Sequence, residues 1–220
     1  MCAEATDIRP LRNPTRVGKP LAPWTYLDPE VLDLEYDAFF LERWQFAGHR
    51  NEVPEAGDYL TVDLGRDSVV VLHGKDGRLR AFLNVCRHRA SRIFEGKGSC
   101  RGVVRCPYHG WTYRLDGTLM AIPREENFAP FDKADFGLHE VALEEFHGLL
   151  FVRVRGDGPG VADQFAHTAQ FFEDYGTAGY VPLGDATFQV WEANWKVAWD
   201  NYLENYHIPI GHPGLFRLIE

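Results

Sequence analysis

With 220 residues, 45% apolar and 25% charged, the chain has ordinary globular composition, which excludes wholesale disorder, a collagen-like repeat and a coiled coil. No apolar run approaches the roughly 18 residues of a membrane span, and the N-terminus MCAEATDIRP lacks the basic-then-apolar order of a secretory signal. A formal net charge of -9 argues against nonspecific binding to nucleic acid or to an anionic membrane.

The elements read as follows along the chain. Residues 1–27 are rich in Pro and Arg without periodicity and read as extended. Asp28-Pro29 has the form of an N-cap followed by Pro at the first helical position, predicting a helix to about Trp44. From Trp44 to Val154 the signals are β. Ser68–His73 and Leu79–Val85 flank the turn pair Asp76-Gly77, and Trp111–Leu115 and Thr118–Ile122 flank Asp116-Gly117. Leu149–Val154 follows Gly148. Short strands at this spacing predict a small antiparallel β domain. Gly156-Asp157-Gly158-Pro159-Gly160 marks a boundary. Beyond it, Val161–Tyr175 reads as an amphipathic helix whose Phe165, Phe171, Phe172 and Tyr175 pack on a sheet. Thr187–Trp191 reads as a strand and Trp195–His207 as a second helix, broken by Pro209, Gly211 and Pro213. The predicted class is α+β, divided at 1–43, 44–155 and 156–220.

Charge and cysteines are unevenly placed. Between Arg78 and Arg114 nine Lys/Arg accompany one acid, Glu95, so this window carries +8 and the remainder -17. It is either a solvated face or a patch that compensates something anionic. The four cysteines are Cys2, Cys86, Cys100 and Cys106. Without a secretion signal a disulfide framework is not expected, and metal or redox roles gain weight. Cys100 reads as a small core residue.

The strand ending at Val85 runs into Cys86-Arg87-His88, and seventeen residues later comes Cys106-Pro107-Tyr108-His109-Gly110-Trp111. Each loop tip offers one thiolate and one imidazole. Tetrahedral zinc accepts such a set. So does a [2Fe–2S] cluster with two Cys on one iron and two His on the other. Structural zinc sites commonly keep like ligands adjacent, whereas mixed pairs let each loop serve both irons. Gly110 permits a tight turn, Pro107 stiffens the second loop and Trp111 can exclude water.

A second constellation lies near the C-terminal end. On a helix, Asp200, Glu204 and His207 fall within about 60° of one face, and Glu204 and His207 are i, i+3 neighbours. Pro209 and Gly211 interrupt the helix, so His212 can turn back toward His207. Two imidazoles and a carboxylate form the facial triad of non-haem Fe(II) sites.

CRHRAS and CPYHGWTYRLDG, at this separation, resemble the two cluster loops of Rieske oxygenases, and NWKVAWDNYLENYHIPIGH resembles the iron-binding helix of their aromatic-ring-hydroxylating α subunits. The resemblance runs from about Trp44 to Glu220. It implies a Rieske domain over 44–155, with Cys86, His88, Cys106 and His109 holding a [2Fe–2S] cluster. It implies over 156–220 the N-terminal part of a helix-grip (START-like) catalytic domain, with His207 and His212 on a mononuclear Fe(II). Glu204 takes the place of the carboxylate that links the cluster histidine of one subunit, here His109, to the iron histidine of its neighbour, here His207. Asn201 matches a polar residue near the iron, and Asp200 stands where a Glu is common. Most ring dioxygenases have Asp in the place of Glu204; Glu resembles members that oxidise or demethylate quaternary amines. The family's third iron ligand is an Asp further downstream, so the chain reads as the N-terminal part of an oxygenase.

The implied activity is that of a terminal oxygenase. It draws electrons from NAD(P)H through a ferredoxin and/or flavin reductase and uses O2 to hydroxylate, dihydroxylate or demethylate a small organic substrate. The implied assembly is a homotrimer, with or without β subunits, in the cytoplasm and without nucleic-acid or membrane partners. The alternatives are a Rieske-type electron-transfer protein without oxygenase activity and a zinc-binding interaction domain.

Overall fold

A computed structural model describes residues 20–184 and 189–219. Cys2, most of the N-terminal stretch read as extended, and Thr187 and Phe188 of the expected strand lie outside the described residues. The chain divides into two compact units, Glu35–Ala186 and Met1–Leu34 together with Thr187–Glu220.

The chain enters through α1 (Trp24–Leu27) and α2 (Pro29–Glu35), then a wider π-helical turn at Tyr36–Leu41. The extended reading is therefore corrected at Trp24–Leu27, where Thr25 Oγ1 donates to the Ala22 carbonyl (2.7 Å) and starts a helical turn. The helix predicted to Trp44 changes form at Tyr36. The Tyr36 hydroxyl donates to Asp67 Oδ2 (2.6 Å) and accepts from the Asp67 N–H (3.0 Å), tying that turn to the sheet.

Among the described residues ten strands follow: β1 (Gln45–His49), β2 (Asp58–Leu64), β3 (Asp67–His73), β4 (Leu79–Leu83), β5 (Lys97–Ser99), β6 (Val104–Arg105), β7 (Thr112–Tyr113), β8 (Leu119–Ala121), β9 (Glu140–Phe146) and β10 (Leu149–Arg153). Seven form an antiparallel sheet in the order β1-β10-β9-β4-β3-β2-β5, and three form a small sheet β6-β7-β8. The β3–β4 hairpin turns where predicted, held by the Asp76 carboxylate, which accepts two hydrogen bonds from Arg80 (2.9 and 2.7 Å). The small-sheet strands are shorter than expected. Asp116 uses its side chain to accept from the N–H (3.0 Å) and hydroxyl (2.6 Å) of Thr118, spending on the turn residues predicted as strand.

Strand β3 explains how the β domain is filled. Val69, Val70, Val71 and Leu72 are all fully buried. Alternation sends Val69 and Val71 into a core with Leu60, Leu150 and Val152. It sends Val70 and Leu72 into a second core with Phe82, Cys86, Cys106, Trp111 and Tyr113. This second core lies under the two cysteine loops, so their bases are anchored in apolar packing while their tips reach outward. Cys100 packs against it, as expected, and donates its S–H to the Gly57 carbonyl (3.2 Å).

The helix predicted over Val161–Tyr175 is broken into α3 (Val161–Gln164), a 3-10 turn at Ala166–Thr168 and α4 (Ala169–Asp174). Two of its four rings pack as expected: Phe165 lies 5.8 Å and Phe172 5.4 Å from the Phe146 ring. Phe171 and Tyr175 stay exposed and lie tilted against each other, 4.5 Å between ring centres. Phe165 and Phe172 meet in one small cluster with Phe146, Phe151 and Val161.

In the other unit, α5 (Trp195–Tyr202), α6 (Ile208–Gly211) and α7 (Pro213–Ile219) follow one another. Asn194 caps α5 by accepting from the Lys196 N–H (3.1 Å). Gln189–Trp191, within the predicted strand, carry no strand structure. The helix predicted to His207 ends at Tyr202.

Candidate functional site

The two cysteine loops close in the same way despite their different Cys-to-His spacings. In the first, the Cys86 N–H donates to the Ser91 carbonyl (2.8 Å) and the Cys86 carbonyl accepts from Ala90 (3.0 Å). In the second, the Cys106 N–H donates to the Trp111 carbonyl (2.8 Å) and the Cys106 carbonyl accepts from Gly110 (3.1 Å). Each turn passes through a left-handed residue, Ala90 at φ 51° and Gly110 at φ 74°. The first loop extends from β4, and the second joins β6 to β7.

Sulfur and nitrogen are sorted by depth. Cys86 and Cys106 are 3% and 2% exposed and form no disulfide, whereas His88 is half-buried and His109 exposed. His88 Nδ1 lies 3.1 Å from His109 Nδ1. At most one of two such nitrogens carries a proton on the line between them, so at least one lone pair is aimed into the gap. Among the described residues no three His, Cys, Asp or Glu gather as a single ion requires. There is an imidazole pair at the surface and a buried thiol pair, a donor set that a [2Fe–2S] cluster accepts. Burial pushes the Cys86 thiol up, so an unliganded thiolate is disfavoured there. Burial, then the charges of His109 and Arg89, hold the His88 imidazole below its ordinary value.

Three supporting residues escaped sequence reasoning. The Tyr113 hydroxyl accepts from the Arg87 N–H (3.1 Å) and lies 3.2 Å from Cys86 Sγ, leaving its proton for the sulfur. Burial, then the bond to Cys86, pushes Tyr113 above its ordinary value, so it stays a donor. Its signal was an aromatic hydroxyl at a strand position bound for the core, where it needs a partner. Trp111 stacks on His88 at 5.0 Å and 9°, covering the imidazole face as its position implied. The Arg87 guanidinium donates to the Gly137 carbonyl (2.9 Å), fixing the first loop from outside. Tyr26, the third, belongs to the other unit.

In that unit the expected face of Asp200, Glu204 and His207 does not form, because α5 stops before Glu204. Glu204 reaches forward instead: Oε2 accepts from the N–H of Tyr206 and of His207 (3.2 Å), and Oε1 lies 2.5 Å from His207 Nδ1. The hydrogen bond from His207 holds the Glu204 carboxyl below its ordinary value. With its Nδ1 proton given to a carboxylate, His207 keeps Nε2 free to bind a metal. Pro209 and Gly211 lie within the single turn of α6 rather than interrupting a helix. His212 leaves helical geometry at φ -131°, ψ 60°, and its ring comes within 5.3 Å of His207. Asp200 is held apart, accepting from the Tyr26 hydroxyl (2.5 Å). Asn201, Glu204, His207 and His212 line an open cavity of about 1060 Å³ with Trp191 and Tyr202.

The fold and the paired loops define a Rieske iron–sulfur domain. Residues 43–141 match the profile of the Rieske [2Fe-2S] domain, and residues 172–220 match that of the ring hydroxylating alpha subunit catalytic domain. The chain belongs to the family of Rieske oxygenase α subunits, which carry a [2Fe–2S] cluster and a mononuclear iron. It is 34% identical to the carnitine monooxygenase oxygenase subunit of Acinetobacter baumannii, over 90% of this chain and 55% of that protein. It is 38% identical to the glycine betaine monooxygenase oxygenase subunit of Chromohalobacter salexigens, over 89% of this chain and 44% of that protein. The solved quaternary ammonium Rieske monooxygenase CntA in complex with L-carnitine superposes with a TM-score of 0.80 at 33% identity, covering 86% of this chain and 54% of that one. The chain spans about half the length of the curated relatives it matches.

Proposed function

We propose that the chain is the electron-receiving part, and the beginning of the iron site, of a terminal oxygenase acting on a small quaternary ammonium compound. The observation that carries the reading is the imidazole pair set 3.1 Å apart above two buried, unbridged thiols. Cys86 and Cys106 hold one iron of the cluster, and His88 and His109 hold the other at the surface. His207 and His212 hold the mononuclear iron, Glu204 orients His207, and Asn201 borders the cavity. Asp200, bonded to Tyr26, steadies the helix that leads to them. When bound, the cluster supplies single electrons and the iron activates O2. The Rieske module occupies 44–155 and the catalytic portion 156–220. Electrons come from NAD(P)H through a ferredoxin or flavin reductase, and the assembly is a trimer in the cytoplasm.

The substrate class is supported by Glu204, which stands where ring dioxygenases have Asp, and by the names of the relatives, carnitine and glycine betaine monooxygenase subunits. The aromatic Trp191 and Tyr202 beside Glu204 suit a quaternary cation. The test is oxygen uptake and product formation by the protein carrying this chain, supplied with iron, NADH and a ferredoxin–reductase pair. The reading predicts turnover of a trimethylammonium acid. Coupled oxidation of an aromatic hydrocarbon alone overturns the substrate class, and no uptake with either favours a pure electron-transfer role.

A further inference from the structure

Residues 122–139 join β8 to β9 without a strand, a connection longer than the structure of a small β domain requires. It holds two 3-10 turns, Glu125–Asn127 and Lys133–Phe136, and Lys133 Nζ pairs with Glu125 Oε2 (2.6 Å) from one turn to the other. Asp132 caps the second turn by accepting from the Ala134 N–H (2.9 Å), and the Leu138 N–H donates to the Gly117 carbonyl (2.8 Å). Arg87, between Cys86 and His88, donates to the carbonyls of Gly137 (2.9 Å) and Asp135 (3.4 Å), and its guanidinium lies 6.0 Å from the centre of the Phe136 ring. The connection is thus closed on itself and fastened to the first cysteine loop.

What it brings there is apolar. Phe131 lies parallel to Trp111 (6.3 Å between ring centres, 8°), and Trp111 lies parallel to His88 (5.0 Å, 9°), so three flat rings form a column behind the imidazole. Phe136 meets Trp111 and Phe131 edge-on at 5.9 and 4.9 Å. Trp111 is left 4% exposed although it closes a loop whose tip is at the surface, and Phe131 and Phe136 are half-buried. Three rings from two loops therefore exclude water from one flank of His88.

We propose that Phe131 and Phe136, acting through Trp111, are positioning residues that keep this flank dry and so hold down the reduction potential of the group bound at His88. The proposal rests on the reading that Cys86, His88, Cys106 and His109 hold a [2Fe–2S] cluster. The sign follows from charge. Two ferric ions, two sulfides, two thiolates and two neutral imidazoles are uncharged together, and one electron from the donor makes the group a monoanion. A low-dielectric wall penalises the anion and leaves the neutral form nearly untouched, so the wall disfavours reduction.

The test is Phe131→Asn in the cluster-loaded chain, with Phe131→Leu as the apolar replacement and Phe171→Asn, an exposed ring outside the column, as the control. Midpoint potentials are read by redox titration at one fixed pH, and solvent near the iron by deuterium modulation of the EPR signal of the reduced protein in D2O. Phe131→Asn is expected to shift the reduction equilibrium about tenfold toward the reduced form, about 59 mV upward for one electron, with deeper modulation. Phe131→Leu is expected to stay near the wild type, and Phe171→Asn to match it in both readouts. An unchanged or lower potential in Phe131→Asn with the cluster retained overturns the proposal. So does an equal rise in Phe171→Asn, or a rise without deeper modulation. Should Phe131→Asn fail to hold a cluster, Phe136→Asn is read by the same criteria, and loss of the cluster in all three column variants assigns these rings to folding and overturns the proposal as well. An absence of cluster absorption in the wild type sinks the underlying reading instead, which separates the two failures.

Discussion

Replacing Tyr113 by Phe isolates one hydrogen bond to the cluster sulfur. The ring is entirely buried, so the variant keeps its packing and loses only the hydroxyl. That hydroxyl accepts from the Arg87 N–H at 3.1 Å, and its single proton is therefore directed to Cys86 Sγ at 3.2 Å. Reduction places more negative charge on the cluster and its sulfurs, so the bond is stronger in the reduced state and raises the potential. A hydrogen bond to a charged group is worth about 1.5–3 kcal/mol net. If about half of that distinguishes the two redox states, the difference is about 0.75–1.5 kcal/mol, or about 30–65 mV for one electron. Tyr113→Phe is thus expected to keep its visible spectrum and to fall in midpoint potential by about that amount. The assay is a redox titration followed by absorbance at fixed pH. The Arg87 N–H, left without its acceptor, adds a stability loss of about 1–3 kcal/mol, read separately by urea unfolding. An unchanged or higher potential in a variant that retains the cluster refutes the donor role of Tyr113.

Three further outcomes are expected. Glu204→Gln lowers Co(II) affinity at His207 and His212 about 10–100-fold while leaving the cluster spectrum intact; unchanged metal affinity removes the orienting role of Glu204. Tyr36, pushed up to about 12 by burial and then by its bond to Asp67, stabilises the fold fully below its unfolded value near 10 and loses that contribution as pH rises toward 12. Wild type should therefore lose more urea stability than Tyr36→Phe between those limits, and parallel losses contradict the assignment. Gly117→Ala, at φ 84° with a Cβ 2.5 Å from the buried Phe82 ring, should cost more than about 2 kcal/mol in urea unfolding, and a cost under about 0.5 kcal/mol contradicts that geometry.

What the sequence made legible depends on the range of the interaction. The two loops could be read because each closes on itself within six residues, with both donors and the turn residue in one short segment. The β3–β4 hairpin and the Asp116-Gly117 turn were legible for the same reason. The end of α5 was not. No breaker stands between Trp195 and His207, and the helix stops where the Glu204 carboxylate captures the backbone N–H groups of Tyr206 and His207, a local competition that residue spacing alone does not decide. The Tyr26–Asp200 bond joins residues 174 positions apart, and Tyr113 meets Cys86 across 27, so neither pairing has a local signature. Phe165 and Phe172 stand seven positions apart, on one face of a continuous helix, so the apolar spacing carries no sign of the 3-10 turn at Ala166–Thr168 that separates α3 from α4.

The most direct measurement is Mössbauer spectroscopy of the chain reconstituted with isotopically enriched iron and sulfide. Two iron environments of equal area, one sulfur-only and one carrying nitrogen ligands, are the predicted result. A single iron environment, or stoichiometric zinc with no acid-labile sulfide, contradicts the assignment of Cys86 and Cys106 to one iron and His88 and His109 to the other.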